Sequence, residues 1–167
     1  MPETQKMQRK FFQNFVDTSM NGTTASYYRL GKDLEEFNIE MNPDTETGKN
    51  ILGETTFTHN GYEISADADP FYARQGDALF TKLQAIVDTG AQYDGCATSI
   101  LEVHLWEAGT TSGTFKAYRQ PCYVVPTSYG GDTSGYQIPF TVNYVGEKKG
   151  GWFTPDGSGS GAFVVNA

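Results

Sequence analysis

The chain has 167 residues, of which 38% are hydrophobic and 14% aromatic, with 19 glycines and 20 acidic against 12 basic residues for a formal net charge of -8. That length can bury a core without disulfides or metals, and it sets a single domain as the expectation. The acidic balance opposes attraction to nucleic-acid phosphates or anionic lipid, which are normally held by clustered Lys and Arg.

Residues 1–10 are too polar for the apolar core of a secretory signal, and neither end carries an apolar run long enough to span a membrane. The expectation is a soluble, unexported chain. In that setting Cys96 and Cys122 read as two reduced, buried thiols, with a disulfide as the less favoured alternative. The sequon Asn21-Gly22-Thr23 matters only in a secreted protein and carries no weight here.

Along residues 1–21, Met7, Phe11, Phe12, Phe15 and Val16 form an apolar stripe with Lys6, Arg9 and Lys10 around it. This reads as an arm, helical or extended, covering residues 1–25 and packing on something outside itself, with one domain over residues 26–167. Phe37, Ile39 and Met41 then alternate with Glu36, Asn38, Glu40 and Asn42, the period of a half-buried strand. A polar loop follows, Asn42-Pro43-Asp44-Thr45-Glu46-Thr47-Gly48-Lys49-Asn50, and a second strand over residues 51–58 completes a hairpin whose loop is too long for a tight turn. Asn60-Gly61 signals a turn into a third strand through Tyr62, Ile64 and Ala66, giving a three-stranded meander.

One helix is expected next, with Asp77 at its N-cap, Leu79, Phe80, Leu83, Ile86 and Val87 on its apolar face, and Gly90 ending it. Strand patterns resume over residues 101–106, 115–125 and 137–144, with Pro121 bending the middle one or placing it at an edge. The loop 157–161 can return residues 162–165 as a last strand. The whole is mainly β: a β-sandwich or barrel of seven or eight strands with one flanking α-helix and a long hairpin loop.

No motif for chemistry stands out. His59 and His104 lack metal-ligand spacing and fit surface or packing roles better. There is no nucleophile elbow, cysteine-enzyme signature, phosphate loop or calcium loop, and the glycines of residues 129–132 and 150–152 are explained by hairpin turns. No catalytic, cofactor-binding or metal residue is assigned, and an enzyme is not expected. One feature exceeds this background. Asp33, Glu35, Glu36, Glu40, Asp44, Glu46, Glu54, Glu63, Asp67 and Asp69 lie in a stretch whose one base is Lys49. Such crowding carries a repulsion that salt reduces, and the meander is expected to present it as an acidic face opposite a buried one.

The run of residues 37–54, residues 69–80, Glu102-Val103-His104-Leu105-Trp106 and residues 140–146 resemble, in order and spacing, the tail tube proteins of tailed bacteriophages. The resemblance spans roughly residues 27–153. It implies a β-sandwich subunit with a flanking helix, six of which form a ring. Rings would stack into a hollow tube in the virion tail, built in the host cytoplasm, with tape-measure, tail tip and tail terminator proteins as partners. DNA would pass through the lumen without specific binding, and no membrane is involved. The resemblance further implies that Glu36, Glu40, Glu54 and Glu63 face the lumen and repel phosphate. It also implies that Phe11, Phe12 and Phe15, together with the loop of residues 42–50, contact neighbouring subunits, although a solvated hairpin tip explains that loop equally well. An inner tube subunit of a contractile injection system or phage-tail-like bacteriocin is an alternative. A carbohydrate-binding β-sandwich, with Trp106 and Trp152 as sugar platforms, is a further one from another class, opposed by aromatics that mostly alternate into the expected core.

Overall fold

The structure is a computed structural model that describes residues 5–20, 22–32 and 34–165. The first residues of the expected arm (1–4), Asn21 of the sequon, Asp33 of the acidic set and residues 166–167 lie outside the described residues. Mainly β structure with one α-helix is what the chain adopts, in a principal sheet that curls into a half-barrel. Among the described residues there are 13 strand segments, more than the seven or eight expected, and 9 of them share the principal sheet. No described helix is long and apolar enough to cross a membrane.

The first correction concerns the N-terminal arm. After a single 3-10 turn at Arg9–Phe11, β1 (Phe12–Asp17) runs antiparallel between β2 (Tyr27–Leu30) and a long strand, β7 (Ala97–Ala108). Phe15 is 2% exposed and Val16 fully buried, so this stripe belongs to the domain's own core and the domain begins before residue 12, not at 26. The apolar residues satisfied a helical period and a strand equally well over so short a run, and tertiary pairing decided between them.

The expected meander is also different. Only Ile39–Glu40 forms strand β3, at the edge of the sheet. The polar segment read as a loop is itself a strand, β4 (Pro43–Lys49), paired with β5 (Thr55–Tyr62) in a separate two-stranded ribbon. Asn50 forms the turn: its side-chain carbonyl accepts from the backbone N–H groups of Leu52 and Glu54, both at 3.0 Å. Asn60-Gly61 is not a turn but a bulge, because the register slips there, with Asp44 opposite Gly61 and Thr45 opposite His59. Gly61 accommodates it at φ 117°, a conformation that residues with a Cβ rarely adopt. The chain then returns to the main sheet as β6 (Ser65–Ala68).

The helix α1 (Ala78–Thr89) falls where its pattern places it, with Asp77 at the N-cap position and Gly90 left-handed at φ 62°. Asp77 does not cap through its side chain; its carboxylate accepts from the Tyr28 hydroxyl at 2.8 Å. Leu79, Leu83 and Ile86 are buried.

The centre of the fold is β8 (Phe115–Pro126), which pairs with β7 on one side along most of its length. Its other side serves two partners. Residues Phe115 to Arg119 pair with β12 (Lys149–Pro155), and Cys122 to Pro126 pair with β11 (Phe140–Tyr144). Pro121 stands at the switch between them, where its missing N–H breaks neither ladder, so it neither bends the strand out nor marks an edge. A small ribbon of β9 (Gly130–Asp132) and β10 (Gly135–Gln137) precedes β11, and β13 (Gly161–Val165) closes the chain against β12.

The two branches cover opposite faces. On the first, Val16, Ile100, Cys122, Val124, Phe140 and Val142 pack with Leu79 and Leu83 of α1. On the second, Phe15, Leu101, Val103 and Ala117 meet Phe153. The rings of Phe15 and Phe153 are 4.7 Å apart although β7 and β8 separate their strands. A flat sheet would hold those strands about 14 Å apart, so the sheet is curled on itself. Gly151 and Gly161 allow the curl. A Cβ on Gly151 would lie 2.2 Å from the Val164 carbonyl oxygen, and one on Gly161 would lie 2.5 Å from Cζ of Phe153. Gly151 is thus a packing residue within β12, not the hairpin turn expected from the sequence.

Candidate functional site

Three surface features stand out: an exposed ribbon, an acidic edge and a cleft. The ribbon β4–β5 packs against no core. Every residue of β4 is exposed, as is all of β5 except the half-buried Gly61. Ile51 at its tip is 103% exposed and Leu52 76%, with Phe57 at 67%. Residues 42–50, expected to reach a neighbouring subunit as a loop, are thus the first half of a projecting arm, and its tip is 50–54. The root is tied by Asn42, whose Nδ2 donates to the Glu63 carbonyl at 3.0 Å and to Ser65 Oγ at 3.1 Å.

The four glutamates assigned to one lumen face are not together. Glu36 and Glu40 share a shallow depression with Asn38, Asp67 and Asp69 at the sheet edge. Glu63 stands at the ribbon's root, and Glu54 is at its tip, where it accepts from Asn50 Nδ2 at 2.9 Å. The ribbon separates them by roughly 20 Å, from six residue steps of extended strand. The alternation of acidic with buried residues holds over residues 36–40, where Phe37 is buried and Ile39 half-buried between exposed Glu36 and Glu40, and over residues 66–69, where Ala66 and Ala68 are buried and Asp67 and Asp69 exposed, but not in the ribbon. Of the aromatic arm, Phe11 is exposed, Phe12 half-buried and Phe15 inside the second core.

The cleft was not foreseen. It is a cavity of about 430 Å³ on the first face, beyond the part that α1 covers. Phe12, Asn14, Ile100, Glu102, Tyr118 and Gln120 form its floor, and Phe37, Ile39, Met41, Ile64, Tyr144 and Lys148 its walls. Arg9 ties the wall to the floor by donating to the carbonyls of Phe37, at 3.0 Å, and Phe12. Asn14 and Tyr144 both line it, and Asn14 Oδ1 and the Tyr144 hydroxyl are buried with no hydrogen-bond partner among the described residues. Asn14 is only 2% exposed. Burial pushes the Tyr144 hydroxyl well above the ordinary phenol range, with nearby Cys122 and Glu102 adding to it, so it stays protonated and is able to donate. At the mouth, the Lys148 ammonium pairs with Glu102, whose Oε1 is also 3.7 Å from His104 Nε2.

Beside the mouth runs an aromatic strip. His104 stacks on Trp106 with centroids 4.5 Å apart, and Phe12 and Tyr118 flank it at 5.8 and 5.4 Å from His104. Arg9 lies 5.1 Å over Phe12, and Lys116 and Lys148 lie 5.5 and 5.0 Å from the Tyr118 ring centre. Trp106 is 41% exposed, so it lies outside the core into which alternation was expected to carry it. Glu102, His104 and Trp106 on one strand face were the available signal, since that face is too polar to be buried throughout. The contribution of Asn14, Tyr144 and Lys148 carried no signal, because only the fold brings their strands together.

Cys96 and Cys122 are both buried, and both thiols are free. Among the described residues no group of three or more His, Cys, Asp or Glu side chains has metal-site geometry. No protein-family model matches the chain, and no curated protein sequence matches it.

Proposed function

We propose that this chain is a structural subunit of a bacteriophage tail tube, with hexameric rings stacked around a channel that conducts DNA, and that its work is assembly and not catalysis. The observation that carries the reading is the ribbon. A two-stranded ribbon exposed on both faces is marginal in water by itself, and one that ends in bare Ile51 and Leu52 has its stabilising surface elsewhere. A neighbouring subunit supplies that surface. In this reading the acidic edge of Glu36, Glu40, Asp67 and Asp69 lines the channel and repels phosphate during DNA passage. Negative-stain electron microscopy of the concentrated protein tests the proposal: six-fold rings or tubes with a central hole are expected. A chain that stays monomeric when concentrated overturns it, and tubes that carry Glu36 and Glu40 on their outer wall overturn the acidic channel.

The aromatic strip favours a second reading, a carbohydrate-binding module, because exposed Trp106 and its neighbours offer flat apolar faces next to Glu102 and Lys148. Glycan-dependent quenching of tryptophan fluorescence in a stable monomer is its expected signature.

A further inference from the structure

The cleft is built to receive something. Asn14 on its floor carries an acceptor, Oδ1, and Tyr144 on its wall a donor, the hydroxyl, each buried just behind the cleft surface and without a partner among the described residues. Leaving such groups unpaired is costly, so an occupant that offers an N–H and a C=O together relieves both. A peptide group in an apolar setting has that chemistry, since Phe12, Phe37, Ile39, Met41 and Ile64 supply apolar walls around the pair.

The most exposed aliphatic side chains among the described residues, Ile51 and Leu52, sit on consecutive residues at the ribbon tip, between Lys49 and Glu54. The same chain cannot place them in its own cleft. Met41 and Ile64, just outside the ribbon's root, line the cleft, and the ribbon carries its tip roughly 20 Å away from that root. Charge is complementary as well: the tip brings the Glu54 carboxylate to a cleft bordered by Arg9 and by Lys148, the latter shared with Glu102.

We propose that the Asn50–Glu54 tip of one copy docks in the Asn14/Tyr144 cleft of another, with Ile51 and Leu52 against its apolar walls and a peptide group of the tip bridging Asn14 Oδ1 and the Tyr144 hydroxyl. This rests on the reading that copies of the chain associate, and it names the surface that receives the ribbon. Because donor and acceptor are different patches, the contact is head-to-tail and propagates into rings or filaments.

Mixing full-length L52C and M41C chains under mild oxidation tests the docking. Cys96 and Cys122, both buried, do not compete. The L52C–M41C heterodimer is expected to form about tenfold faster than one between T47C, in mid-ribbon, and M41C, whereas equal rates overturn the docking. Tyr144→Phe keeps the ring and removes the donor. It is expected to weaken association by about fivefold or more without lowering the unfolding midpoint of the free chain, and unchanged association overturns the bridging hydrogen bond. Tubes that form without the selective cross-link overturn the docking and keep the tube reading. Selective cross-links in a chain that never makes rings or tubes keep the docking and overturn the tube.

Discussion

Cys122 is 1% exposed in β8, with its side chain in the first core. Burial, aided by the nearby Asp17 carboxylate, pushes its thiol from an ordinary 9.0 up to about 12. The unfolded chain therefore releases this proton near pH 9 while the folded chain holds it, so the folded form binds more protons between the two values. The resulting stability is complete below pH 9 and is lost as pH rises toward 12. Tyr144 and Tyr27, both raised chiefly by burial, act in the same direction. The denaturant midpoint is expected to fall across this range, and less steeply in Cys122→Ala, when unfolding is followed by tryptophan fluorescence. A slope that the substitution leaves unchanged would count against it. At this scale the sequence was legible where chemistry was local: two cysteines without an export signal read as buried thiols, and Gly90 as a helix stop. It was not legible for Gly151, whose need for a bare Cα comes from Phe163 and Val164 of a strand it meets only after folding.

Among the elements, α1 and β7 follow their patterns because the apolar stripe of the helix meets the first core and the alternating Leu101 and Val103 of the strand meet the second. The ribbon does not, since residues 43–49 are polar on both faces and carry no periodicity to distinguish strand from loop. Its independence of the core leads to a prediction. Replacing residues 43–62 by a short Gly-Ser turn between Asn42 and Glu63 is expected to leave the thermal midpoint within a few degrees of the parent, because ΔΔG stays within about 1 kcal/mol. The root already joins these residues, with the Glu63 N–H donating to the Asn42 carbonyl at 3.3 Å. Calorimetry would reveal any larger loss, which would mean that the ribbon supports the sheet. The same deletion is expected to abolish self-association. β1 failed in the opposite sense: five apolar residues suggested an arm that packs outside the domain, yet β2 and β7 offered open ladders on either side of it.

For the molecule as a whole, a net charge of -8 sets the long-range force between copies. Two such charges about 40 Å apart, the separation of touching domains of this size, repel by about 7 kcal/mol in pure water. Physiological salt, with a Debye length of about 8 Å, reduces that below about 1 kcal/mol. Self-association is therefore expected to strengthen as salt rises from low to physiological concentration, as read by sedimentation velocity. A decrease would mean that local pairs such as Glu54 with Arg9 or Lys148 outweigh the net repulsion.

By itself the sequence determined the class of fold, the place of the helix, the buried state of the thiols and the acidic balance. Each follows from composition or from a period read within one segment. Only the tertiary structure decided that β8 divides between two partners at Pro121, that the acidic residues part between a sheet edge and a ribbon, and that Asn14 and Tyr144 meet across a cleft. Those outcomes depend on which strands pair and how far the sheet curls, which are sums over long-range contacts that no single segment encodes.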